Sequence, residues 1–195
     1  MTIYALLAKK TLVPLFAGFL MLQAGAATNT TTASTATASN LLAYSTHDLG
    51  LLCFGGVSNV RVTYGGDPHK LFDDKGAAAP EKTLADATRM PRGLYGTYDT
   101  FAGPIDMQWR SRDGTELSHV VDLNKEITGR TIPYAHPERV YAKKPFVRKP
   151  VIVVEFNDRT VTAYLVARLQ VMPLDAAKST LDEVNSRTLV YSRTL

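Results

Sequence analysis

VIVVEFNDRTVTAYLVARLQV, from Val151 to Val171, is the stretch that decides the fold. Its β-branched and aromatic content, broken at Asn157-Asp158, predicts two antiparallel strands joined by a tight turn. A two-residue loop sets Phe156 opposite Arg159, Val154 opposite Val161 and Ile152 opposite Ala163. One face then carries Ile152, Val154, Phe156, Val161, Ala163, Leu165, Ala167 and Leu169. The other carries Glu155, Thr160, Thr162, Tyr164, Arg168 and Gln170 with Val151 and Val153, because side chains alternate along a strand. A four-residue loop keeps these faces, whereas a three-residue loop turns Ile152 and Val154 to the polar side. Asn and Asp tolerate the left-handed backbone that such a turn needs. A lone hairpin cannot offset the entropy of ordering its own residues, so other strands must cover this one.

Immediately upstream, Thr131 to Pro150 reads TIPYAHPERVYAKKPFVRKP. Its four prolines exclude a continuous helix or a central strand and predict an extended crossover. The segment concentrates Arg139, Lys143, Lys144, Arg148 and Lys149 with Tyr134, Tyr141 and Phe146. Cations interleaved with aromatics suit docking on an acidic protein surface, or peripheral contact with anionic membrane headgroups. These eight are the candidate partner-binding residues. The same residues also suit a solvated crossover whose charges keep a sheet edge soluble.

A second hairpin lies further upstream. Ile105, Met107 and Trp109 alternate with Asp106, Gln108 and Arg110; after Ser111-Arg112-Asp113-Gly114, Leu117, His119, Val121 and Leu123 alternate with Glu116, Ser118, Val120 and Asp122. Trp109 falls in the apolar register and is expected in the core, and His119 is expected as a satisfied core residue. Val60, Val62 and Tyr64 alternate with Asn59, Arg61 and Thr63 in a half-buried strand that ends at Gly65-Gly66-Asp67-Pro68. From His69 to Gly93 the chain is polar and predicts a long surface excursion, with a short helix over Pro80 to Arg89. Downstream of Val171, Leu174 to Val184 predicts a short helix and Arg187 to Leu195 a closing edge strand. The sum is mainly β: an antiparallel β-sandwich or curled sheet with one or two short helices.

Residues 1–27 have the parts of a secretory signal. Lys9 and Lys10 precede an apolar run from Leu12 to Leu22 that is short for a membrane span, and Ala24-Gly25-Ala26 offers cleavage near Ala26 or Ala27. The expected location is the periplasm, with an uncleaved N-terminal anchor as the alternative. Residues 28–40, TNTTTASTATASN, form a Thr/Ala/Ser tether with little apolar surface, and residues 41–195 form a single β-rich domain. Removing Lys9 and Lys10 takes the formal charge from +4 to +2, too modest to call for nucleic acid as a partner. A single Cys, Cys53, cannot make an internal disulfide, and its apolar surroundings predict a buried, inert thiol.

Catalytic motifs are missing. There is no Gly-x-Ser-x-Gly elbow, Walker loop, His-Glu-x-x-His or paired Cys, and the four histidines lie far apart in sequence. The expectation is a protein that is not an enzyme and uses no cofactor or metal.

The stretch KPVIVVEFNDRTVTAYLVARLQV with the ending SRTLVYSRTL resembles the tail of small exported immunity proteins associated with bacterial type VI secretion effectors, and WRSRDGTELSHVVDL is similar to that group's central hairpin. The likeness covers roughly Ile105 to Leu195. It implies a periplasmic immunity role, with a lipase-type effector toxin as the bound partner. Many of those proteins are lipoproteins, whereas this chain has no Cys at the cleavage site. An envelope module that recognises lipid, glycan or an envelope protein is the competing expectation.

Overall fold

The computed structural model describes residues 40–91 and 93–195. The expected signal and most of the expected tether lie outside these residues. Among the described residues nine strands form two sheets: β1 Thr46–Phe54, β2 Ser58–Tyr64, β3 Asp67–Leu71, β4 Thr97–Asp99, β5 Ile105–Arg110, β6 Glu116–Val121, β7 Val151–Asn157, β8 Thr160–Val171 and β9 Asp182–Thr194. One sheet has the order β4-β1-β7-β8-β9 and the other β3-β2-β5-β6. A short helix, α1 (Leu123–Glu126), follows β6, with the Asp122 carboxylate accepting from Asn124 N–H at its start.

The two sheets share one core. Ile152, Val154, Phe156, Val161, Ala163, Leu165, Ala167 and Leu169 meet Val60, Val62, Tyr64, Ile105, Met107 and Trp109, so every residue assigned by parity to the apolar face of the β7–β8 hairpin is there. Trp109 is fully buried, edge-on to Phe156 at 5.3 Å, and its indole N–H donates to the Asp158 carbonyl at 2.7 Å. The indole thus joins two hairpin tips while keeping its polar atom satisfied.

Several expectations are corrected. The β7–β8 turn is Asp158-Arg159, so Phe156 pairs with Val161 rather than Arg159, Val154 with Ala163 and Ile152 with Leu165. The register moves by two residues, which leaves both faces intact; Asp158 takes the left-handed φ of 51°. The mainly β, mainly antiparallel architecture is as expected, with β1 running parallel to β7. The strand ends at Tyr64 as expected, but the excursion does not start at His69: Gly65-Gly66 turns the chain into β3, which runs to Leu71 as an edge strand where the missing N–H of Pro68 is tolerated. The helix expected over Pro80 to Arg89 is reduced to one 3-10 turn, Leu84–Asp86. No helix spans Leu174 to Val184. Turns fill most of it, and β9 begins at Asp182, recruited by pairing with β8 up to Val171. His119 is half-buried rather than in the core, stacked on Tyr191 with its Nε2 hydrogen-bonded to that hydroxyl.

The polar excursion is mostly a strap. It is pinned beside the β1–β2 turn by Gly55 N–H to Pro80 O at 2.9 Å and Ala79 N–H to Val57 O at 2.8 Å, and it returns along β1 through Tyr95 N–H to Leu49 O at 2.8 Å. Between these ends it lies against the outer face of the five-stranded sheet, where Leu52, Phe54, Val151, Val153 and Val166 form a second apolar cluster with Met90 and Tyr164. Gly50 is required there, because a Cβ would come within 2.4 Å of the Pro91 ring.

Candidate partner-binding surface

The crossover from α1 to β7 is tied to the sheet by its backbone. β7 reaches β8 only as far as Val166, and past that point the crossover takes its place. Tyr141 N–H donates to Gln170 O at 2.9 Å, Gln170 N–H to Pro145 O at 2.9 Å, Val147 N–H to Arg168 O at 2.9 Å and Met172 N–H to Arg139 O at 2.7 Å. The pairing is limited to the isolated bridges Val140–Val171 and Phe146–Leu169 and these flanking bonds.

This anchoring divides the eight predicted residues into two sets. Phe146 and Tyr134 pack against the shared core as half-buried side chains, and Tyr141 is half-buried as well. Arg139 donates from Nε and Nη2 to Met172 O at 3.1 and 2.8 Å, which commits it to holding the start of the β8–β9 connection. Lys143, Lys144, Arg148 and Lys149 remain exposed, and none of the four is in an ion pair among the described residues. Lys149 Nζ lies 3.4 Å from the Thr97 hydroxyl. Arg148 and Lys149 border a small crevice with Met90, Val151, Val166 and Arg168, so the basic ridge reaches the outer face of the five-stranded sheet.

That outer face contains a cluster invisible to motif reading. Glu155 is 3% exposed in the middle of β7. Lys82 of the strap lies 2.5 Å from its Oε1, with the ammonium 5.7 Å from the Phe54 ring centre. Arg187 of β9 comes within 3.9 Å of Oε2, lies over the Tyr164 ring at 3.8 Å and donates to Arg89 O at 3.3 Å. A carboxylate inside an otherwise apolar run, VIVVEF, was the available signal, since such a group is buried only with a partner.

The inner face has its own buried titratable group. His47 of β1 is fully buried. Tyr64 Oη accepts Ala102 N–H at 3.1 Å and shares a hydrogen bond of 3.0 Å with His47 Nε2, while His47 Nδ1 shares one of 3.1 Å with Thr100 Oγ1. Burial lowers the imidazole pKa to about 4, against a weaker upward pull from Asp48. The ring is a neutral strut between the sheets. Cys53 lies on the same side of β1, and burial pushes its thiol up to about 12, far from nucleophilic use.

The remaining concavities offer little prearranged chemistry. One, about 370 Å³ beside the loop 73–78, is polar, but Arg112 there is clasped by Glu81 at 2.5 and 2.7 Å and Arg110 by Glu116 at 2.5 Å. No group of three or more His, Cys, Asp or Glu among the described residues is placed to hold a metal ion. No protein-family model matches the chain, and no curated protein or solved structure matches it.

Proposed function

We propose that this chain is an exported periplasmic binding protein that neutralises a type VI secretion toxin of the lipase class by occlusion, without chemistry of its own. The observation that carries the reading is the basic ridge: Lys143, Lys144, Arg148 and Lys149, exposed and unpaired among the described residues, on a crossover fixed by four backbone hydrogen bonds. Cations on a mobile loop must be ordered during association, whereas this backbone is already in place, which lowers the entropic cost of binding. Unpaired surface cations also steer an acidic partner, an effect that fades as salt rises.

The test uses the protein from Thr28 to Leu195 and the exported toxin encoded beside its gene. Wild type should form a stoichiometric complex that abolishes toxin activity. Reversal of the ridge, K143E/K144E/R148E/K149E, should weaken binding by about tenfold or more, chiefly through slower association. Full inhibition by the reversed variant would remove the ridge from the interface. Binding to anionic vesicles, with every neighbouring toxin left active, would transfer the function to the envelope.

A further inference from the structure

The connection from β8 to β9 opens on apolar side chains in water. Met172 is 49% exposed and Leu174 84% exposed, with the half-buried Pro173 between them, and residues 174–180 are exposed throughout. The base of this projection is nevertheless held. Met172 N–H donates to Arg139 O at 2.7 Å, and Met172 O accepts from Arg139 Nε and Nη2 at 3.1 and 2.8 Å. The ring of Pro173 then fixes the next φ. The fold therefore sets a tip, carrying two aliphatic groups, just past the last ladder pair of β8, Val171 with Asp182.

Cations stand beside it. The crossover loops away from Gln170 between Tyr141, whose N–H donates to Gln170 O, and Pro145, whose carbonyl accepts Gln170 N–H, both at 2.9 Å. Lys143 and Lys144 lie exposed on that loop, with the half-buried Tyr141 at its root. Leu174 is four residues beyond Gln170, at most roughly 14 Å of chain. The acidic groups of this region are engaged locally: Asp175 Oδ1 accepts Ala177 N–H at 2.9 Å, Glu138 lies 3.5 Å from His136, and Asp182 pairs with Lys178. Lys143 and Lys144 are in no ion pair among the described residues.

This pattern favours one occupant. Aliphatic groups on a projecting tip reach a protein partner only where that partner offers a pocket of matching shape. The interfacial layer of a bilayer takes them without such complementarity, and binding there adds the apolar area buried to the attraction of cations for anionic lipid. A tyrosine at the root suits the headgroup level. We propose that Met172-Pro173-Leu174 is a docking tip for an anionic bilayer surface, with Met172 and Leu174 entering the headgroup layer and Lys143 and Lys144 meeting lipid phosphates. The contact is reversible, because two aliphatic side chains bury less hydrocarbon than a single myristoyl chain, which itself binds only reversibly. The inference does not rest on the inhibitor reading, and Met172 and Leu174 lie outside the ridge, so altering them separates the two.

The experiment sediments the protein from Thr28 to Leu195 with sucrose-loaded vesicles of phosphatidylcholine, alone or mixed with phosphatidylglycerol. Wild type should bind the mixed vesicles, leave the neutral ones and be released as salt rises. M172S/L174S and K143E/K144E should each lower the partition coefficient by about tenfold or more. The altered side chains are exposed, so each variant should unfold at the wild-type temperature. Undiminished binding by M172S/L174S would reduce the contact to charge and overturn the tip. Mixed vesicles left unbound by wild type would overturn the proposal outright, and retention on polyglutamate in their place would give the surface to an acidic protein instead.

Discussion

His47 on the inner face of the five-stranded sheet and Glu155 on its outer face are both buried, in opposite ways. The inner face holds His47 neutral, between two hydroxyl groups and under the second sheet. The outer face holds Glu155 beside two cations, one from the strap and one from β9. An apolar core between sheets accepts a polar group whose hydrogen bonds close without charge. A face covered by a single polypeptide layer can keep a charge, because Lys82 and Arg187 reach it from the margin while keeping some contact with water. The inner face therefore gives the fold its stability, and the outer face uses charge to position the strap.

The sharpest way to break this contrast is to attack the inner face first. Trp109→Ala empties the space beside Phe156 and leaves the Asp158 carbonyl without its donor, so it should cost about 3 to 5 kcal/mol in denaturant unfolding. On the outer face, Lys82→Met leaves Glu155 with only the distant Arg187 and should cost about 3 kcal/mol, the low end for breaking a buried pair. Adding Glu155→Leu to that variant should recover at least half of the loss, because the stranded charge goes with it. If the double variant stayed as unstable as the single, Glu155 would be stabilising the fold in its own right, and the proposed division of labour would fail.

The smallest effect is a matter of pH. Folded His47 stays neutral down to about pH 4, whereas in the unfolded chain it takes up a proton near 6.5. Its contribution is complete above pH 6.5 and drains away as the pH falls toward 4, a loss on the order of 2 to 3 kcal/mol. Asp86, whose carboxylate accepts hydrogen bonds from Thr83 and Arg89, acts in a lower window, with a contribution present above pH 3.8 and lost as the pH falls toward 2. Stability measured from pH 7 to 4 should therefore slope more steeply for wild type than for His47→Gln. Equal slopes would mean that His47 accepts a proton in the folded state.

The inner face was also the legible one. Alternation in β5, β7 and β8 placed Trp109, Phe156 and Leu165 correctly, because a one-residue error would have exposed the whole set. Parity is blind to a two-residue slip, and so the turn centre moved to Asp158-Arg159. It is blind as well to which distant strands become neighbours, so the parallel β1–β7 pair could not be read from either segment. The loose apolar stripe of Leu174 to Val184 suggested a helix, but the ladder between β8 and β9 prevailed from Asp182 onward. The strap was illegible because its order comes from remote partners, Glu155, Gly50 and Arg187, rather than from any local period. In the crossover, composition located the cations. Only the fold separated Arg139, captured by the Met172 carbonyl, from the four that face solvent.

The measurement that tests the central claim most directly is hydrogen–deuterium exchange of the protein, free and mixed with the toxin proposed as its partner. The account predicts protection concentrated in the crossover from Tyr141 to Lys149, with β5 and β6 unchanged. Protection confined to the outer face of β5 and β6, or none at an inhibitory toxin concentration, would contradict it.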